Sequence, residues 1–371
     1  MPPLQSQGTS PSPSTPRSPR SRRRRFIAVA VVIAVALLAL LIWSWRGQPA
    51  SAPPKPSLNF GQSLDAAHNG KPGAARVLYQ QLSRTDLTDT RRIALIAELP
   101  NYPSPLALKL LDAQLAHASA TVRQAATAAS VKLVTRGQRS LLLGPLLDDQ
   151  DQAVRFSATS ALLGLSPDEL GLYFAVQQQS VEAFQEYVKS QPATAQNQLQ
   201  LARLYLQTGD RKPALAALQR AIALEPDNIE AALAHIELLD SEGQADQARS
   251  LFATLLQRNP DSALLQHALG SWLLEHDQAE FALLSLAKAS ELAPQNADYR
   301  YDLAVALHQL EQLEPAQKQL VQILQDQPAN RRARVLLIEY WKEAGQLQNV
   351  QVLLAELEQQ NPDDPALQQG L

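Results

Sequence analysis

The sequence contains no cysteine and few glycines, 14 in 371 residues. Without cysteine the chain cannot form a disulfide, a CxxC redox centre, a zinc site with thiolate ligands or a covalently attached c-type haem. Its six histidines form no HExxH motif or other metal-binding spacing, and GxGxxG, GxxxxGK and GxSxG motifs are absent. We therefore expect no catalytic residue, no cofactor, no metal and no small-molecule substrate, so the protein is predicted not to be an enzyme.

Charged residues are distributed unevenly along the chain. Residues 1–46 contain seven arginines and no acid, whereas residues 47–371 contain 26 basic and 36 acidic side chains. Domains that bind nucleic acid are typically basic, so we expect no nucleic-acid binding by this acidic remainder. The scarcity of glycine, with abundant alanine, leucine and glutamine, favours helices in that same part.

Residues 26–45 form a long apolar run in which Ser44 is the only polar residue. Twenty helical residues span about 30 Å, the thickness of the hydrocarbon core of a bilayer. Arg22 to Arg25 precede the run, and the positive-inside rule keeps that side cytoplasmic. The sequence thus predicts a single-pass protein of the inner (cytoplasmic) membrane, with residues 1–25 as a disordered cytoplasmic tail and the remainder on the periplasmic or extracytoplasmic side.

The alternative to an uncleaved anchor is a cleaved signal peptide. Trp43 to Arg46 is a poor cleavage site, but the small residues within positions 48–52 leave cleavage open. Residues 46–60 contain four prolines and are predicted to form a semi-rigid linker.

Residues 61–170 repeat with a period of 32. Arg91, Arg123 and Arg155 are separated by this interval, and alanines recur at the same interval just after them. The pattern resembles HEAT repeats, in which a Val-Arg pair opens the second helix of a two-helix unit. The first copy departs from that pattern, because Thr90 stands in place of the valine. A generic stack of helical hairpins is the alternative, with the same functional consequence.

A second region repeats with a period of 34. Each repeat carries a proline that ends a helix, since proline lacks an N–H and restricts the residue before it. The prolines are Pro192, Pro226, Pro260, Pro294, Pro328 and Pro362. A small residue recurs in the second helix of each unit, where the two helices must cross: Ala214, Ala248, Ala282 and Ala316, with Val350 in the last unit.

A period of 34 with two helices per unit is typical of tetratricopeptide repeats. Residues 195–364 resemble five consecutive repeats of this family, residues 171–194 a degenerate sixth or junction, and residues 365–371 a C-terminal tail. The predicted fold is therefore all-α, an α-solenoid of HEAT-like and then tetratricopeptide hairpins behind a single transmembrane helix. One unit cannot bury its own apolar face, but stacked units share a continuous core.

The resemblance implies that the first helices line a groove that binds extended or helical peptides. Mapped onto this sequence, the predicted protein-binding residues are Leu199, Arg203, Leu206, Leu233, Glu237, His267, Ser271, Tyr301, Val305, His308, Glu339 and Lys342. His276 is expected in a solvated turn, and His235 in the core. Exposed leucine and tyrosine in a groove favour a protein partner.

These features predict a membrane-anchored scaffold or co-chaperone that holds a protein partner in its groove. An alternative rests on a second resemblance: HEAT repeats that continue into tetratricopeptide repeats are similar to the C-terminal region of some bacterial multihaem c-type cytochromes. The CxxCH motifs of those proteins are absent here. The protein would then be an accessory factor for a c-type cytochrome or for its assembly.

Overall fold

The computed structural model describes residues 59–368. Contacts within the chain divide it into two units, Met1–Ser57 and Leu58–Leu371, and every element below belongs to the second. The predicted cytoplasmic tail, the predicted transmembrane helix and nearly all of the predicted linker lie outside the described residues. Within residues 59–368, no helix is both long and apolar enough to cross a membrane.

The described residues form helices and connecting turns, without a β-strand among them. In the N-terminal array, the α-helices are α1 (Phe60–His68), α2 (Ala74–Leu82), α3 (Asp89–Glu98), α4 (Pro105–Leu115), α5 (Ala120–Leu133), α6 (Arg136–Leu143), α7 (Gln152–Ala161), α8 (Pro167–Leu170) and α9 (Phe174–Ser190). Short 3₁₀ helices lie at Leu99–Asn101, Gly144–Asp148 and Gly171–Tyr173.

The C-terminal array consists of five helix pairs and one short final helix. The first helices of the pairs are α10 (Ala195–Gln207), α12 (Ile229–Ser241), α14 (Ala263–Glu275), α16 (Ala297–Gln309) and α18 (Arg331–Glu343). The second helices are α11 (Arg211–Leu224), α13 (Ala245–Arg258), α15 (Ala279–Leu292), α17 (Leu313–Asp326) and α19 (Leu347–Gln360), and α20 (Pro365–Gln368) follows. The all-helical solenoid of paired helices is thus confirmed.

The same local chemistry starts each first helix. A Thr, Asn or Ser side chain accepts a hydrogen bond from a backbone N–H of the first turn, which satisfies a donor that has no partner within the helix. These caps recur every 34 residues, at Thr194, Asn228, Ser262, Asn296 and Asn330. The repeated small residues Ala214, Ala248, Ala282 and Ala316 are fully buried where the two helices of a pair meet.

The turn inside each pair contains a residue with left-handed backbone. Gly209, Gly243 and Gly345 occupy this position with φ of 77°, 75° and 69°, while Asp277 and Glu311 occupy it with φ of 57° and 58°. An L-residue other than glycine is strained there by its Cβ atom. The third and fourth pairs therefore keep the geometry of the turn at a local energetic cost.

In the N-terminal array, two of the arginines that recur every 32 residues make equivalent hydrogen bonds to backbone carbonyls. Arg123 Nη1 donates to the carbonyls of His117 and Ala118, six and five residues earlier, and Arg155 Nη1 donates to Asp149 and Gln150 at the same offsets. The first copy does not fit the predicted position. There the buried arginine is Arg92, which donates to the carbonyls of Leu82 and Arg84, and Arg91 is exposed.

The N-terminal array and the end of the last helix pair are in contact, which the repeat pattern does not predict. Gly73 N donates to Gln359 O at 2.7 Å, and Asn361 Nδ2 donates to Pro103 O at 2.7 Å. Ala329 belongs to the hydrophobic core of the N-terminal array. We call this set of contacts the closure.

Residues 365–371, predicted as a tail, begin with α20, and Ala366 is buried. Asp364 is fully buried; its Oδ1 accepts from Ala366 N and its Oδ2 pairs with Arg331 Nε at 2.6 Å. Asp364 lies 34 residues after the cap Asn330, so this segment continues the register of the array.

Candidate protein-binding groove

The groove face is the surface formed by α10, α12, α14, α16 and α18. All twelve predicted groove residues lie on these helices, but Leu199 does not reach the surface. It is fully buried in one core cluster with Val181, Val188 and Leu218. The prediction for Leu199 was wrong because α9 covers the first pair at this position. Leu206 and Leu233 are half-buried packing residues.

His267 joins the third pair to the fourth. Its Nε2 lies 2.8 Å from Asp302 Oδ2, and its ring stacks on Tyr299 with centroids 4.6 Å apart. The histidine side chain is 21% exposed, so part of it remains accessible to solvent. Asp302 and Tyr299 were not predicted.

Arg332 extends the same network to the fifth pair. Its guanidinium carbon lies 3.7 Å from the centroid of the Tyr301 ring, within the range of a cation–π contact. Its nitrogens lie 3.4 Å from Asp298 and 3.8 Å from Asp302. The arginine is 58% exposed, so these pairs contribute little to stability and chiefly orient the side chain.

His308 repeats the arrangement one pair further along. Its Nε2 lies 2.6 Å from Glu343 Oε2, and its ring lies parallel to Tyr340 with centroids 4.1 Å apart. Burial raises the pKa of Tyr340 to about 12, so this phenol stays neutral at physiological pH. Both histidines therefore use an acid and a tyrosine to bridge neighbouring units.

An acidic region lies on the earlier pairs of the groove face. Partial burial raises the pKa of Glu237, and the nearby charge of Glu275 raises it further, while Arg203 acts in the opposite direction. Arg203 Nη2 itself lies 3.5 Å from Glu230. The residue as a whole is exposed on α12.

The remaining predicted groove residues lie beside these groups. Ser271 and Val305 are half-buried on α14 and α16, Glu339 is exposed on α18, and Lys342 is half-buried. The structure thus brings His267, Tyr301, Val305, His308 and Glu339 together on three successive first helices.

His276 lies in a turn, as predicted, but it is half-buried rather than solvated. It stacks on Trp272 with centroids 4.0 Å apart, and its Nε2 lies 3.0 Å from Asp240 of the preceding unit. The predicted solvation was wrong because Asp240 and Trp272 cover the imidazole. His235 is half-buried, and burial lowers its pKa.

The acids that pair with His267 and His308 were not predicted, but their spacing in the sequence identifies them. Asp302 follows His267 by 35 residues, and Glu343 follows His308 by 35. In an array with a period of 34, a residue at this separation lies one position further along the next first helix. A search for acids at that interval would have found both.

A cavity of about 720 Å³ lies against the fourth and fifth pairs of the groove face. It is lined on that side by Asp298, Tyr301, Asp302, Asn330, Arg331, Arg332, Val335, Leu336 and Glu339, and on the other by Pro100, Asn101 and Lys132. Its mixture of aromatic, aliphatic and charged groups suits a polypeptide segment. Throughout residues 59–368, no cluster of histidine and acidic side chains could hold a metal ion.

Family models for the tetratricopeptide repeat match residues 195–228 and 212–271. The chain contains tetratricopeptide repeats. Repeats of this kind are protein–protein interaction scaffolds. The matches cover the first two pairs and the start of the third, while the later pairs follow from the common register of prolines, caps and turns.

A protein from Sinorhizobium fredii, "Uncharacterized protein y4yS", is 29% identical over 87 residues, which are 24% of this chain and 48% of that protein. The chain thus matches about half the length of this curated relative. Among solved structures, YrrB, "a TPR protein with an unusual peptide-binding site", is 19% identical, with 51% of this chain and 97% of that chain covered and a TM-score of 0.36.

Two other solved structures are similar to this chain. MamA is 17% identical, with 45% of this chain and 91% of that chain covered and a TM-score of 0.37. A thermophilic tetratricopeptide-repeat protein of Thermus thermophilus is 23% identical, with 47% and 95% covered and a TM-score of 0.35. The HEAT resemblance, the membrane anchor and the link to cytochromes gain no support from these comparisons and stay predictions.

Proposed function

We propose that this protein is a scaffold or co-chaperone that binds an extended polypeptide segment of a partner on the groove face. The network of His267, Asp302, Arg332 and Tyr301 carries the proposal. It places aromatic and charged groups of three successive repeats side by side, where they remain partly exposed.

The geometry supports this function because the groups are held in place before a partner arrives. Ordering a free side chain costs about 0.5–1.5 kcal/mol on binding, so side chains that are already fixed lose less. His267 and Arg332 are each held by both an acid and a tyrosine ring. Partly exposed tyrosine and arginine are also residue types that dominate binding energy at protein interfaces.

The location of the scaffold is part of the proposal. Residues 26–45 have the length and composition of a transmembrane helix, and the preceding arginines favour a cytoplasmic N-terminus. The array would then lie on the extracytoplasmic side and hold its partner near the inner membrane. Because the described residues are assigned to repeat packing and to the groove face, we propose a binding role without catalysis.

In-cell photo-crosslinking tests the groove. The photoreactive residue p-benzoylphenylalanine replaces Tyr301 in the full-length chain, and a matched variant carries it in place of Phe281, an aromatic residue on α15 that is 63% exposed. We expect a discrete adduct of one partner from position 301 only, identified by mass spectrometry. Identical adducts from both positions, or none from position 301, would contradict a groove-binding scaffold.

A further inference from the structure

The cavity on the groove face has a second wall, contributed by the N-terminal array. Pro100 and Asn101 of the 3₁₀ turn after α3, and Lys132 near the end of α5, line the same space as Tyr301 and Arg332. A volume of 720 Å³ falls within the range of about 300–1,000 Å³ that is usual for binding pockets. A segment bound beside Tyr301 would therefore contact both arrays.

The charges that line the cavity differ in how far they are already neutralised. Arg332 is paired with Asp298 and Asp302, and Arg331 is paired with the buried Asp364. Lys132 of the N-terminal wall and Glu339 of the groove wall are exposed, and neither forms an ion pair with another residue in the range 59–368. These two side chains thus offer one charge of each sign to a ligand.

We propose that the partner segment lies between the two arrays, with an acidic side chain at Lys132 and a basic side chain at Glu339. This inference rests on the proposed function and adds to it the second wall and the chemistry of the partner. Complementary charges of this kind favour the correct partner and orientation, and like charges penalise others.

The closure determines whether the second wall is present. The hydrogen bonds from Gly73 N to Gln359 O and from Asn361 Nδ2 to Pro103 O hold the N-terminal array against the last repeat. Pro103 lies only two residues from Asn101 in the sequence. Loss of the closure would move Asn101 and Lys132 away from Tyr301, so binding requires the closed arrangement.

Crosslinking from each wall of the full-length chain tests the two-wall site. With p-benzoylphenylalanine at Asn101 or at Tyr301, we expect the same partner in both adducts. An adduct from position 301 alone would overturn the two-wall site while leaving groove binding intact. Failure at both positions would overturn the proposed function and the inference together. Thermal unfolding by circular dichroism confirms that each variant folds.

Charge reversal tests the chemistry of the partner. Lys132→Glu and Glu339→Lys are each expected to lower the adduct yield from position 301 by about threefold or more, since each replaces an attraction by a repulsion. Lys109→Glu and Glu314→Lys reverse exposed charges that do not line the cavity, and should leave the yield unchanged. Equal yields from all four variants would overturn the charge assignment.

The variant Asn361→Ala tests the role of the closure. Faster hydrogen exchange at the Gly73 amide would verify that the closure has loosened, because this amide is bonded to Gln359 across it. We then expect a lower adduct yield from position 301. A higher yield would show that the closure blocks the groove, and would overturn the inference.

Discussion

The two arrays of this chain place their ion pairs differently. In the N-terminal array, Arg123 is 5% exposed and forms a bidentate pair with Asp149 at 2.7 and 2.8 Å. On the groove face of the tetratricopeptide array, Arg332 is 58% exposed, and its two carboxylate contacts are 3.4 and 3.8 Å long. The buried pair joins α5 to the loop before α7, whereas the exposed pairs orient a side chain at the surface.

The two arrays also differ in the regularity of their helix lengths. In the tetratricopeptide array, first helices of 13 residues alternate with second helices of 14 residues. In the N-terminal array, α-helices range from 4 to 17 residues, with 3₁₀ turns between some of them. A regular array keeps its packing through position-specific small residues and turns, while the irregular one depends on individual buried polar contacts.

The largest expected effect comes from breaking the buried pair. Asp149→Ala would leave the Arg123 guanidinium buried without its counter-ion, at a cost of about 3–5 kcal/mol in the free energy of unfolding. Urea unfolding followed by circular dichroism measures this change. Arg332→Ala is the matched variant in the groove, and should cost less than about 1 kcal/mol. Similar losses from both variants would remove the distinction between the arrays.

The next effect concerns the close packing of α14 on α15. A Cβ atom at Gly270 would lie 2.6 Å from Leu286 Cγ and 3.2 Å from Ala282 O. Gly270→Ala should therefore destabilise the protein by about 1–3 kcal/mol, as overpacked cores do.

Gly137 of α6 is the matched control, because nothing lies within 4 Å of a Cβ added there. Gly137→Ala should stabilise the protein by about 0.5–1 kcal/mol through helix propensity. Thermal unfolding of both variants provides the comparison. If both variants were destabilised, the close contact with Leu286 would not explain the effect at Gly270.

A smaller effect is expected at the strained turns. Asp277→Gly and Glu311→Gly should each stabilise the protein by about 0.5–1 kcal/mol, because glycine removes the Cβ strain of the left-handed backbone. In the first turn of α17, Glu314→Gly should instead destabilise it, because glycine lowers helix propensity and removes an acid that interacts favourably with the helix N-terminus. Urea unfolding at pH 7 distinguishes the two signs, and a loss of stability at position 277 would contradict the strain assignment.

The smallest effect is pH-dependent and concerns Glu237. Its pKa in the folded protein is raised above the value in the unfolded chain, so the unfolded state releases this proton more readily. Stability is therefore lost as pH rises through the folded pKa. Glu237→Gln should be slightly more stable than the parent at pH 7, and the difference should vanish near pH 4. A difference that is equal at both pH values would contradict this origin.

The sequence predicts the register of the tetratricopeptide array well, because prolines, caps and small residues recur at a fixed interval. It predicts individual exposure less well. Leu199 occupies a groove position in the register, but the preceding helix α9 buries it. Burial at the end of an array depends on what lies next to it, which the repeat alone does not specify.

In the N-terminal array, the sequence predicts the repeat but not which residues make the buried contacts. The period of 32 points to Arg91, yet Arg92 makes the buried contacts, and its acceptors are the carbonyls of Leu82 and Arg84 rather than carbonyls six and five residues earlier. The closure was beyond prediction, since the hydrogen bond between Asn361 and Pro103 joins residues 258 positions apart. No local pattern specifies a contact at such a separation.

That separation has a consequence for how the molecule assembles. Each repeat gains most of its contacts from its immediate neighbours, so the arrays can form quickly from local nuclei. The closure requires the ends of a long segment to meet, but only after intervening repeats have become ordered and rigid. Its formation thus depends on the accumulated curvature of the stacked units rather than on the entropy of a flexible loop. A small change in the packing angle between any two repeats would produce a larger displacement at the point where the ends meet.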